Sequence, residues 1–325
     1  MNRDTIYIFT RLFSPEDRRF SAEVERLILA KLKSLAIKGV KTFLPYRDSN
    51  QGTVVTANKA KYIYDADVQN LQRSIALIGF LNGLAKDEGI CFEIGYAFAT
   101  GVPTIVGITD FFKIQVPHSK GIEFPLDPVL MAMVTNLIHL PSGANEHAPY
   151  TKAQSNHIES AVSEMVPMLV RYLRGNTPAG ISVRKQSKRV KRVHIELAGN
   201  QFEWCQLICE QIQKYALSKG LVVTVSNRLS PKYIWKIGSV NNIVALGKRD
   251  IANARKADLV IIGADSSEMD AGSAAMQGFA RGLGKKIILY GTKSTRYVAS
   301  GGHSMSRNLM LDQSAIGRYN RKEFS

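Results

Sequence analysis

Hydrophobic positions along this chain follow two rhythms that alternate. Thr5-Ile-Tyr-Ile-Phe9 is a β-branched and aromatic run and predicts a strand. Ser14-Pro-Glu-Asp follows, with serine as N-cap and proline at the first helical position. Ala22, Val24, Leu27, Ile28, Ala30, Leu32 and Leu35 then recur with the helical period until Gly39. Val40 to Leu44 predicts a second strand, ended by Pro45, and the polar stretch 46–58 predicts a loop. A helix is expected over Ala60 to Arg73. Ser74 to Phe80 is a continuous apolar run, as in a strand buried on both faces of a parallel sheet. Gly89 to Thr100 predicts a helix, Val102 to Ile108 a strand, and Gln154 to Arg174 a long amphipathic helix. The second half repeats the order: strand Arg192 to Ala198, helix Gln201 to Ser218, strand Leu221 to Val225, helix Lys248 to Lys256. Strand Asp258 to Ile262, helix Gly272 to Gly282 and strand Lys286 to Tyr290 follow. This alternation predicts an α/β fold with parallel sheets covered on both faces.

The repeat is also written in residues. Asp87-Glu-Gly-Ile-Cys-Phe-Glu-Ile-Gly-Tyr-Ala97 aligns with Asp270-Ala-Gly-Ser-Ala-Ala-Met-Gln-Gly-Phe-Ala280. Each follows one apolar strand and precedes another, so two copies of one α/β unit are expected. The expected division is a first domain over 1–175, a linker over 176–191 and a second domain over 192–325. A length of 325 residues suits two domains.

Charge separates the halves. Residues 1–175 carry 19 Lys and Arg against 17 Asp and Glu, whereas residues 176–325 carry 24 against 10. Six basic residues, Arg184, Lys185, Lys188, Arg189, Lys191 and Arg192, form one run. Such a run either attracts nucleic acid or keeps a linker solvated. No aromatic residue is interleaved to stack on bases, so nucleic acid is not the expected partner. The longest apolar stretch, Ile75 to Ala85, is too short to span a bilayer, and no membrane partner is expected. Three cysteines, Cys91, Cys205 and Cys209, make no disulfide framework, and a cytoplasmic location is expected.

The chemistry concentrates at Asp87 to Ala97. Asp87 follows the strand ending near Phe80, Gly89 lets the backbone turn, and Glu93 falls in the first turns of the next helix. Loops at the carboxyl ends of parallel strands are where open α/β sheets bind ligands. Two carboxylates there can divide the roles of nucleophile and proton donor. They can equally be acids that complement the helix dipole.

Further residues favour the first reading. Ile6-Tyr7 with Phe13, then Asp67, then Asp87-Glu-Gly89 with Glu93-Ile-Gly-Tyr96-Ala97, resemble the pattern of the nucleoside 2-deoxyribosyltransferase family. The loop Asn50-Gln51-Gly52 looks like that family's base-contacting loop. The resemblance implies two flavodoxin-like, Rossmann-like units in tandem, packed as a pseudo-dimer. It implies Glu93 as nucleophile at C1′ of a deoxynucleoside, with Asp87 and Asp67 contacting the base and managing its proton. Tyr7 would orient Glu93, and Phe13, Gln51 and Gly89 would line the substrate site. Nucleoside and nucleobase are the implied partners, in a homo-oligomer of pseudo-dimers. No metal and no cofactor are expected, and the six histidines show no metal-binding spacing.

The second half departs from the pattern. Met276 takes the nucleophile's position, and Glu196 stands where the family has its tyrosine. Asp250, Asp258 and Asp270 remain, and Arg307-Asn308-Leu-Met-Leu matches the family's Asn-Leu-Met, which the first half renders as Val129-Leu130-Met131. One composite site per chain is therefore expected, with Asn308 supplying the amide that the first half lacks. The alternative is that Asn308 caps a strand or turn. The same residues also suit an N-glycosidase giving the sugar to water, acting on a nucleoside or its 5′-monophosphate, or a nucleotide sensor without turnover.

Overall fold

A computed structural model describes residues 3–49, 58–83, 85–115, 122–141, 150–176, 189–196, 203–226, 239–264, 269–291, 297–298, 304–305 and 308–320. The chain divides into two compact units. The first comprises residues 1–90, 100–112 and 134–180, and the second comprises 91–99, 113–133 and 181–325.

The first unit is built on β1 (Thr5–Phe9), β2 (Lys41–Phe43), β3 (Ser74–Phe80), β4 (Thr104–Ile108) and β7 (Asn136–His139). All pair in parallel, in the order β2-β1-β3-β4-β7. Helix α1 (Pro15–Ser34) starts at a complete capping box, in which Ser14 Oγ accepts from Asp17 N and Asp17 Oδ2 accepts from Ser14 N. It is followed by α2 (Pro45–Asp48), α3 (Lys59–Arg73) and, after β3, α4 (Glu88–Thr100). One sheet face is covered by α1 and by α6 (Tyr150–Leu173). Ile158, Ala161, Val162, Met165, Val166 and Leu169 of α6 pack with Ile6, Ile8, Ala76, Ile78 and Ile105 of the strands. The central strands β1, β3 and β4 are buried on both faces, which is why they read as unbroken apolar runs.

The second unit carries β8 (Arg192–Glu196), β9 (Val222–Val225), β10 (Leu259–Gly263), β11 (Lys286–Gly291) and β14 (Gly317–Asn320). Their order is β9-β8-β10-β11-β14, again all parallel. Each sheet thus has the 2-1-3-4-5 order of a flavodoxin-like unit. The helices are α7 (Glu203–Ser218), α8 (Val240–Lys256), α9 (Ala271–Gly282) and α10 (Leu309–Ser314). Two-stranded ribbons β5 (Ile114–Gln115) with β6 (Glu123–Phe124), and β12 (Tyr297–Val298) with β13 (Ser304–Met305), complete the described strands.

Residues 91–99 and 113–133 belong to the second unit because of what they pack on. Helix α5 (Pro128–Met133) lies on α8, and a Cβ at Gly247 would sit 1.9 Å from Pro128 O. Helix α4 lies on α9 through a reciprocal contact. A Cβ at Gly95 would be 1.8 Å from Ala275 O, and a Cβ at Gly278 would be 1.9 Å from Phe92 O. Only glycine permits backbones this close. The polar loop expected over 46–58 begins with α2 instead, since Pro45 sets the first helical φ. The helix expected from Lys248 starts earlier, at Val240, where Ser239 accepts from Asn242 N. The short elements α5, β7, α10 and β14 have no counterpart in the sequence reading.

Candidate active site

The expected site residues lie on β1, α3 and α4 and on the segments beside them. Tyr7 is fully buried within β1, its ring centroid 5.1 Å from that of Phe43. Asp67 is buried on α3. Burial pushes its carboxyl well above the usual carboxylate range, and the hydrogen bond from the Ser49 side chain only partly opposes this. Its Oδ1 has no hydrogen-bond partner among the described residues.

Asp87 is the residue on which α4 opens. Its Oδ1 accepts from Ile90 N at 3.0 Å. Burial raises its pKa, while the N–H groups of Ile90 and Gly89 and the charge of Arg11 pull it down. Gly89, in the first turn of α4, is buried. Glu93 lies six residues beyond Asp87 on the same helix and is only 6% exposed. Phe13, between β1 and α1, is 62% exposed. Gln51 and its loop 50–52 lie outside the described residues, as do Arg184, Lys185 and Lys188 of the basic run.

Further residues support this edge. Asn82 Nδ2 donates to Thr109 Oγ1, and Thr109 N donates to Asn82 Oδ1, which ties the loop after β3 to the loop after β4. Asp110 receives Gly83 N at 2.6 Å, Phe112 N at 3.0 Å and Lys86 Nζ at 3.3 Å. Arg11 Nη1 lies 3.5 Å from where a Cβ on Gly83 would be. An acid just after a strand was the available signal for Asp110. Nothing in spacing alone marks Ser49.

The second unit keeps the frame and changes the groups. The same 183-residue interval separates Asp87 from Asp270, Leu77 from Val260, and Thr104 from Ile287, and the last two pair in the same way in each sheet. Tyr7 pairs with Leu77 and His194 with Val260; Phe9 pairs with Gly79 and Glu196 with Ile262. His194 therefore stands at the place of Tyr7, and Glu196 at that of Phe9, a shift from the sequence alignment by two residues. Asp270 caps α9, accepting from Ser273 N at 3.0 Å as Asp87 caps α4. Asp250 on α8 accepts from Ser226 Oγ at 2.8 Å, the counterpart of Asp67 with Ser49. Met276 is buried on α9 at the interval of Glu93.

The helix caps correct a second alignment. Asn308 Oδ1 accepts from Met310 N at the start of α10, and Asp127 Oδ1 accepts from Val129 N at the start of α5. Asp127, not Val129, is the counterpart of Asn308. Asn308 and Glu93 belong to the same compact unit, and α9 packs on both α4 and α10.

The two parallel sheets and the helices packed on them define this protein as an α/β protein. Residues 6–165 match the family model described as nucleoside 2-deoxyribosyltransferase. Two solved structures are similar to parts of this chain. A 2-deoxyribosyltransferase from Bacillus psychrosaccharolyticus is 16% identical, with 39% of this chain and 85% of that one covered and a TM-score of 0.32. A conserved protein from Enterococcus faecalis V583 is 20% identical, with 49% of this chain and 97% of that one covered and a TM-score of 0.34. No curated protein matches the sequence. Among the described residues no group of His, Cys, Asp and Glu could hold a metal ion, and no helix is long and apolar enough to cross a membrane.

Proposed function

We propose that the protein transfers 2-deoxyribose between nucleobases by double displacement. The observation that carries this reading is α4 itself, which opens on Asp87 at the ligand-binding edge and holds the carboxylate of Glu93 six residues further on. Glu93 attacks C1′ of the deoxynucleoside. The C1′–N bond breaks, its electron pair leaves with the base, and the base takes a proton from a carboxyl group. Asp67 and Asp87 suit that step, because burial keeps their protons at a pH where an ordinary aspartate has lost them. A second base then attacks C1′, returns a proton to the aspartate, and releases the Glu93 carboxylate. Tyr7 orients Glu93, Gly89 lets the chain turn under the sugar, and Phe13 and Gln51 border the base. Asn308 contributes to the sugar contact beyond its observed cap.

The test is a chromatographic assay of thymidine with free adenine. New deoxyadenosine, absent with Glu93→Ala, supports the proposal. Deoxyadenosine formed equally by Glu93→Ala overturns it. A second reading, hydrolysis of a nucleoside or its 5′-monophosphate, is favoured by Arg11. This exposed cation lies beside Gly83 and its charge reaches Asp87, which suits a phosphate. Free base without deoxyadenosine, and faster with the monophosphate, would select it.

A further inference from the structure

The second unit carries Met276 at the place of Glu93, and its strand edge is more polar than that of the first. Glu196 stands where the first sheet has Phe9. At the 183-residue interval, Ser273 replaces Ile90 and Gln277 replaces Ile94. His194, Glu196, Asp250, Ser273 and Gln277 are all fully buried. A scaffold released from function has no reason to exchange buried apolar side chains for buried polar ones, since desolvating them costs stability.

Glu196, Ser273 and Asp270 meet, and His194 lies beside Glu196. Ser273 Oγ lies 3.1 Å from Glu196 Oε1 and 3.1 Å from Asp270 Oδ2, and its single proton serves one at a time. His194 Nδ1 is 3.0 Å from Thr224 Oγ1. Its Nε2 points at Glu196 Oε2 from 3.6 Å, beyond hydrogen-bond reach, and has no hydrogen-bond partner among the described residues. Gln277 Nε2 donates to Leu311 O and Ser314 Oγ, both at 2.7 Å, while its Oε1 is likewise unpartnered among the described residues. Buried polar atoms left this way call for an explanation, and a bound ligand is one.

We infer that the second unit holds a second ligand site, which binds an amino-substituted nucleobase and cleaves no glycosidic bond. The carboxylates of Glu196 and Asp270 accept hydrogen bonds and suit a ligand edge rich in N–H groups. His194 Nε2 donates or accepts according to its tautomer and matches a ring nitrogen beside an amine. Met276, in the nucleophile's place, can form no acyl-type ester with the sugar. The ligand class rests on the function proposed for the first unit, whose frame of a Ser–Asp pair and a capping Asp this unit repeats.

The experiment is equilibrium dialysis of the full chain with radiolabelled adenine. Two adenines per chain are expected. Glu196→Gln should leave one, Asp87→Asn should leave one, and the double variant none. Should Glu196→Gln lower the thermal midpoint enough to compromise folding, Ser273→Ala makes the same cut. A single adenine that Asp87→Asn removes and Glu196→Gln does not would overturn the second site. A single adenine lost only with Glu196→Gln would keep it and overturn the function proposed for the first unit. No binding by the folded parent protein would overturn both. Base exchange persisting in Glu93→Ala, and lost on adding Glu196→Gln, would overturn the non-cleaving assignment.

Discussion

Glu93 and Met276 occupy matching places on matching helices, and a thioether cannot form the ester that a carboxylate can. Glu93→Ala is therefore expected to lower kcat for base exchange by about a thousandfold or more, read by the appearance of deoxyadenosine. Asp67 makes a different prediction. Its pKa is raised in the folded state, so its contribution to stability is complete below the ordinary aspartate pKa of about 3.9 and is lost as pH rises through the folded value. Asp67→Asn removes that loss. The variant should melt above the parent at neutral pH, and the two midpoints should converge as the pH falls below about 4; equal midpoints at neutral pH would show that Asp67 is not held neutral. Asp87 and Glu93 stood out in the sequence by their place after a buried strand, and Asp67 only through the family resemblance. The alignment of Glu196 was two residues off, because a strand's register is set by its pairing and two residues shift nothing in an apolar–polar pattern of period two.

At the scale of elements, the pairing of α4 with α9 rests on Gly95 and Gly278. Gly95→Ala would place a methyl group 1.8 Å from a carbonyl oxygen, so the backbones must separate. A loss of about 1–3 kcal/mol or more is expected on denaturant unfolding. Gly278→Ala should cost a similar amount, and the double variant less than the sum, because both substitutions open one contact. Additive losses would show that the two sites are independent. The central strands and long helices were readable from period and caps. The edge strands β7 and β14, four residues each, and the six-residue helices α5 and α10 carry too few periods to stand out. The correspondence of Asp127 with Asn308 rests on such short helices, and it emerges only from their caps.

At the scale of the whole molecule, both sheets run 2-1-3-4-5, and the residue repeat falls after the third strand of each. The strand–helix alternation made the two sheets legible. The compact units were not, since α5 and most of α4 are assigned by what they pack on and not by their place along the chain. The charge difference between halves bears on solubility rather than chemistry. Replacing Arg184, Lys185 and Lys188 by Gln is expected to lower solubility and to leave kcat/KM for base exchange unchanged. A fall in kcat/KM with rising ionic strength dependence would instead mark these charges as steering the substrate.

The glycine contact between α4 and α9 joins segments that lie on one chain. In an assembly of identical subunits, any substitution on one side of such a contact appears on the other as well. Here the partners are encoded separately, and they meet at a local concentration that dilution does not change. One helix could keep Glu93 while the other exchanged it for Met276, without either having to find a matched companion. A single chain thus holds two unlike helices in a contact that identical subunits could make only between like ones.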